Sequence, residues 1–171
     1  MPELAVTSIG ADRPGIVAAV ARVLHEGGGN LEDSAMTILG GHFAIVLLVT
    51  TDDEPEALAT VLRDATGELG LTITVSRADA ARTTAEPTHL LSVYGADRPG
   101  IVAGITTTLA EAGANIIDLE TQVVGEGDAP VYAMVIELQA ADTDALISHL
   151  EAACEVLGVD NTLRSIDAEI Y

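Results

Sequence analysis

The sequence has no lysine and no tryptophan, and only one phenylalanine and one cysteine among its 171 residues. Each absence excludes something. The 7 arginines are the only permanent cations against 27 acidic residues, for a formal net charge of −20. Nucleic-acid binders draw much of their affinity from neutralising phosphates with Lys and Arg, so this balance excludes direct contact of that kind. It equally opposes docking on an anionic membrane surface, which calls for basic clusters. The lone Cys154 leaves no disulfide framework and no paired-thiol metal or redox motif. It falls within the apolar-periodic segment Leu146 to Leu157, where a buried, inert thiol is expected. No apolar run approaches the ~20 residues that cross a bilayer. The opening Met1-Pro2-Glu3 is acidic and leads straight into a strand-like segment, unlike a secretory leader, so a cytoplasmic protein is expected.

What is present is aliphatic: hydrophobic residues make up 49% of the chain while aromatics make up 2%, so the core must be built from Ala, Val, Leu and Ile. The chain also repeats itself. Gly10-Ala11-Asp12-Arg13-Pro14-Gly15-Ile16-Val17-Ala18 recurs unchanged from Gly95 to Ala103, an offset of 85. Gly28-Gly29-Asn30-Leu31 meets Gly113-Ala114-Asn115-Ile116 at the same offset, and Asp33 meets Asp118. The second copy then carries a longer segment, Gly125 to Pro130, before Tyr132-Ala133-Met134-Val135 matches Phe43-Ala44-Ile45-Val46. Self-similarity at a fixed period signals repeated structural units. Two modules are predicted, at 1–78 and 89–171, joined by a polar linker at 79–88.

Each module shows one order of elements. Short apolar strands, Leu4 to Ile9 and Leu90 to Tyr94, precede helices whose apolar residues fall on one face: Ile16, Val20, Val23 and Leu24, or Ile101, Ile105 and Leu109. Asp12 and Asp97 are expected to cap these helices, with a proline just inside the start. Glycines stop them. Two strands follow, Leu31 to Leu39 and Phe43 to Val49, turning at Gly40-Gly41; the counterparts are Ile116 to Val124 and Val131 to Leu138. A second helix begins at Pro55, with Leu58, Val61, Leu62, Ala65 and Leu69 on one face, or near Asp144, with Leu146, Ile147, Leu150, Ala153 and Leu157, and a last strand closes each module. The order β-α-β-β-α-β predicts an α+β fold of two ferredoxin-like modules, each a four-stranded antiparallel sheet with both helices on one face.

This fold carries many functions, so function must come from a site. The loop after the first strand offers one. A helix N-terminus presents free N–H groups and a positive dipole end that favour a carboxylate. Asp12 beside it could accept from an ammonium group, and Asn30 could both donate and accept. Taken singly, these residues are equally good helix-start and turn chemistry. D-R-P-G-I-V leading into a helix, then G-x-N at the next strand, within this element order, resembles the ACT domain. The resemblance covers essentially the whole chain, once per module. A pair of modules with G-A-D-R-P-G-I-V in each is similar to the glycine-cleavage-system transcriptional repressor family.

That resemblance implies a regulatory protein that binds a small amino acid, glycine or serine, at module interfaces. It would act as a homodimer through a protein partner, and the net charge of −20 is what keeps it from touching DNA itself. It implies one site lined by Asp12, Arg13, Pro14, Gly15, Ile16 and Asn30, and another by Asp97, Arg98, Pro99, Gly100, Ile101 and Asn115. The loops between the middle strands differ, so the two sites need not bind alike. Other chemistry finds little support. His25, His42, His89 and His149 lie in separate elements without metal-ligand spacing, and neither a cofactor fingerprint nor a nucleophile motif is present. Asp52-Asp53-Glu54 complements a helix start rather than forming a catalytic pair. The chain is therefore expected not to be an enzyme. The alternatives are a ligand-independent interaction module, or a regulatory remnant of an ACT-fused enzyme such as formyltetrahydrofolate deformylase.

Overall fold

A computed structural model describes residues 2–78, 85–124 and 130–166. The chain divides into two compact units, Met1–Arg82 and Thr83–Tyr171. The first holds β1 (Glu3–Ala11), α1 (Ile16–Glu26), β2 (Asn30–Leu39), β3 (His42–Thr50), α2 (Pro55–Ala65), a 3-10 turn at Gly67–Leu69 and β4 (Thr72–Arg77). The second holds β5 (His89–Ala96), α3 (Ile101–Glu111), β6 (Asn115–Val124), β7 (Val131–Gln139), α4 (Thr143–Leu157) and β8 (Asp160–Ser165). Sheet orders are β2-β3-β1-β4 and β6-β7-β5-β8, antiparallel throughout. Two ferredoxin-like modules are what the sequence predicts and what the structure shows. Of the expected linker, 79–84 lies outside the described residues. Thr88 extends the inner strand β5 of the second sheet, since its N–H donates to Leu138 O and its carbonyl accepts from Ile166 N.

Strand alternation explains the cores. Along β1, Leu4 and Val6 are buried while Ala5 and Thr7 face the other way. With Phe43, Ile45, Leu47 and Val49 of β3 they meet Ile16, Val20 and Leu24 of α1 and Leu58 and Leu62 of α2. The second core repeats this with Leu91, Val93, Met134 and Ile136 against Ile105, Leu109, Leu146 and Leu150. Cys154 is buried there, as expected, and burial raises its thiol pKa.

Two local expectations are corrected. Asp12 and Asp97 do not cap their helices. The N-cap residues are Gly15 and Gly100, at φ +94° and +97° with no side-chain cap, and the prolines sit ahead of the helix instead of inside it. Only glycine adopts that left-handed conformation without strain, so the chain enters the helix through a backbone turn that leaves no place for an Asx cap. The second helix of module 1 also does not run on to Leu69. It ends at Ala65 and gives way to the 3-10 turn, whereas α4 continues unbroken to Leu157. Gly67 at the break, where the other copy has Glu155, weakens the helix at that point.

Candidate functional site

The register of the strands places the predicted site residues. β1 ends at Ala11, paired with His42, which also pairs with Leu39, the last residue of β2. The D-R-P-G loop therefore leaves the sheet at the end where β2 and β3 turn through Gly40 and Gly41. The loop is tied there by Asp12 N–H donating to Gly41 O at 2.9 Å. Asn30 pairs with Thr50, which also pairs with Glu3, so it marks the opposite end of the same sheet. At 3.4 Å per residue the two ends are about 27 Å apart. Asn115, paired with Gln139, stands in the same relation to Asp97. Each module thus gathers its Asp, Arg, Pro, Gly and Ile at one end and holds its Asn at the other.

At the loop, Asp12, Arg13, Pro14 and Gly15 are exposed while Ile16 is buried as a core anchor, and Asp97 to Ile101 repeat the pattern. The first N–H groups of α1 and α3 donate to no side-chain cap, which leaves them as candidate donors to a ligand. The arginines are committed elsewhere. Arg98 donates to Leu157 O at 2.7 Å and to Gly158 O at 3.0 Å. Arg13 reaches Glu68 O at 3.5 Å. Both guanidinium groups thus brace carbonyls at the end of the second helical segment, where a cation is favoured. Gly10 and Gly95 lie within strands. A Cβ on Gly10 would come within 2.7 Å of Leu71 Cδ2, and one on Gly95 within 2.7 Å of Val159 Cγ1. The repeated glycines thus have two causes, a positive φ at Gly15 and Gly100 and a close approach at Gly10 and Gly95.

The surroundings of the two loops differ in ways the motif does not announce. In module 2 a cavity of about 560 Å³ opens beside the loop, lined by Tyr94, Gly95, Ala96, Asp97, Val131 and Asp160 among others. Tyr94 pairs with Asp160 across β5 and β8; the matching pair in module 1 is Ile9 and Thr72. At the Asn end the asymmetry reverses. Asn30 Nδ2 donates to Glu32 Oε1 at 2.8 Å and Thr50 Oγ1 donates to the same oxygen at 2.9 Å. These two bonds, Asn30 first, hold the Glu32 carboxyl below the usual glutamate range. Module 2 has Ile117 and Gln139 at those places. Tyr94, Asp160, Glu32 and Thr50 were not predicted from the sequence; laying the copies side by side at Ile9/Tyr94 and Thr72/Asp160 was the available signal.

Among the described residues no group of His, Cys, Asp and Glu is arranged to hold a metal ion, and no helix is long and apolar enough to cross a membrane.

This arrangement, two βαββαβ modules each with an open helix start after the first strand, defines a family. The model for the ACT domain matches residues 3–76, and a second ACT model matches residues 89–155. The chain belongs to the ACT-domain family. Along its length it is similar to the glycine cleavage system transcriptional repressor of Escherichia coli. The two are 25% identical over 169 residues, 98% of this chain and 85% of that one. A UPF0237 protein of Methanopyrus kandleri is 40% identical over 85 residues, 48% of this chain and 94% of its own. A solved structure from Galdieria sulphuraria, 29% identical, superposes with a TM-score of 0.83 over 96% of this chain and 98% of that one.

Proposed function

We propose that this protein is an amino-acid sensor that regulates a partner protein and catalyses no reaction. The observation that carries it is the uncapped helix start beside an exposed Asp, present in both modules at Asp12 to Ile16 and Asp97 to Ile101. A free α-amino acid offers a carboxylate for the N–H groups and an ammonium group for the Asp. Small amino acids, glycine or serine, are the ligands suggested by similarity to the glycine cleavage system repressor.

The separation of Asp12 from Asn30 bears on assembly. Within one module the pair is too far apart to share a ligand, so a complete site needs a second module. β2 is an edge strand exposed along its whole length, including Leu31, Met36, Ile38 and Leu39. Antiparallel pairing with β2 of a second copy, centred on Ala35, would lay that copy's Asn30 level with Gly40, beside the first copy's loop. Such a homodimer keeps the Glu32 and Asp33 carboxylates of the two copies at opposite ends of the pairing. The ligand would then favour one arrangement of modules by its differential affinity. With a net charge of −20 the protein would act in the cytoplasm through a DNA-binding or enzyme partner rather than on DNA itself.

Thermal shift with each common amino acid tests the proposal. A ligand at 100 times its dissociation constant stabilises the folded state by about 2.7 kcal/mol. An exposed apolar edge also suits a module that binds partners without any ligand. Partner capture that is indifferent to every amino acid would favour that second function.

A further inference from the structure

Arg98 and Arg164 are the only arginines of module 2, and acidic residues far outnumber them there. The face that its two helices share is nevertheless almost free of charge. α3 carries no charged residue from Ile101 to Ala110, and Ala103, Thr107 and Ala110 are exposed on it. Between α3 and α4 runs an open groove of about 550 Å³, lined by Gly104, Thr108, Ala152, Ala153 and Val156 among others. Val156 is 87% exposed, more than any other large hydrophobic side chain among the described residues. Module 1 has Arg22, His25, Asp64 and Glu68 where module 2 has Thr107, Ala110, Ala152 and Val156. Four ionisable side chains of one copy are thus small or apolar in the other, and an exposed patch of that kind marks an interaction surface.

We propose that this face docks on the same face of a second copy of the chain, with the two α4 helices crossing antiparallel about Ala152. Elsewhere the like charge of two such chains keeps them apart, and here that repulsion is least. A two-fold contact sets each residue before position 152 against the residue equally far after it. Ser148 then faces Val156, so each valine leaves water over the other copy's groove. Glu155 faces His149, the one histidine of these two helices. The imidazole is turned for that role: Nδ1 donates to Ala145 O at 2.7 Å, which leaves Nε2 for a carboxylate. Glu111 lines the same groove, so each imidazole meets acidic groups from both chains. Glu151 faces Ala153, and the overlap ends with α4, which leaves Asp142 and Asp144 outside it. Ala152 at the crossing lets the helix axes approach to about 8 Å. The β2 pairing proposed above uses none of these residues.

Disulfide trapping on the full chain tests this. Ala152→Cys puts an accessible thiol on the axis, and a disulfide spans Cα atoms about 4.4–6.8 Å apart. Oxidation should link two chains there, while the buried Cys154 takes no part. Asp64→Cys, the matching exposed place in module 1, should give no such link. Adding Val156→Asp to Ala152→Cys brings a carboxylate into the contact and should abolish the link; both positions are exposed, so the fold is kept. His149→Glu, which sets a carboxylate against Glu155, should weaken the association by up to about fivefold. A link that survives Val156→Asp undiminished would overturn the inference. So would its absence from Ala152→Cys at every protein concentration, which would leave the groove to a partner of another kind.

Discussion

Module 1 and module 2 share a fold and a nine-residue identical segment, yet they differ at almost every position that surrounds it. Module 1 holds Glu32 with bonds from both Asn30 and Thr50; module 2 leaves Asn115 beside Ile116 and Ile117. Module 2 buries His89, bonded to Thr88 Oγ1 at 2.8 Å and to Thr143 Oγ1 at 3.1 Å, where module 1 buries Leu4. The helix pairs differ too. Leu62 and Leu69 of module 1 correspond to Leu150 and Leu157, which sets Asp64 and Glu68 against Ala152 and Val156. The loop is preserved because its backbone geometry is demanding, while its neighbours are free to set what each module binds.

The strongest perturbation should fall on both modules alike. Leu62 and Leu150 are 0% and 1% exposed, so Leu62→Ala and Leu150→Ala should each cost about 2–5 kcal/mol, measured by denaturant unfolding. A large cost in only one would break the equivalence of the cores. Ser8 offers the opposite sign. Its hydroxyl is fully buried without a hydrogen-bond partner, and module 2 has Val93 at that place. Ser8→Val should stabilise module 1 by about 1–3 kcal/mol, and hydrogen exchange in β1 would register the gain. Next comes Gly104, whose counterpart is Ala19. A Cβ there would lie 2.8 Å from Leu157 Cδ1. In Gly104→Ala the displacement of the Leu157 side chain should offset the helix-propensity gain of about 1 kcal/mol and leave a net change within about 1 kcal/mol by denaturant unfolding.

Smaller still is the bracing of the second helix. Arg98→Ala should destabilise by about 0.3–1 kcal/mol, and Arg13→Ala by less, because Arg13 makes a single long contact. The smallest effect is in pH. Glu32 is held below the usual glutamate range, so its favourable contribution exists above its unfolded pKa and fades as pH falls through the lower folded value. Asn30→Ala should move the Glu32 titration upward, read by side-chain NMR; an unchanged titration would mean that the clamp does not form in solution.

The fold was legible because the identical segments fix the register between the copies, and apolar spacing fixes the faces. Glycine turns at Gly27 to Gly29 and Gly40-Gly41 were visible for the same reason: positive φ at Gly28, Gly40 and Gly41 leaves a compositional trace. The helix starts were misjudged because a left-handed glycine holds the N-cap position that an Asp usually takes, and no side chain caps the helix there. The roles of Arg13 and Arg98 were hidden because their partners lie 55 to 60 residues away, brought close only by folding. Asp160 was missed for a like reason, since it reaches the loop through strand pairing with Tyr94. The separation of Asn from Asp was implicit in the strand order, but only the register shows that each module holds them at opposite ends of its sheet.

The most direct test of the sensor is calorimetry of the full chain against a panel of amino acids, repeated with Asp12→Ala and Asp97→Ala combined. Binding of at least one amino acid by the parent protein, lost in the double variant, is the predicted result. Binding that persists undiminished in the double variant, or no binding by the parent at any concentration used, would contradict it.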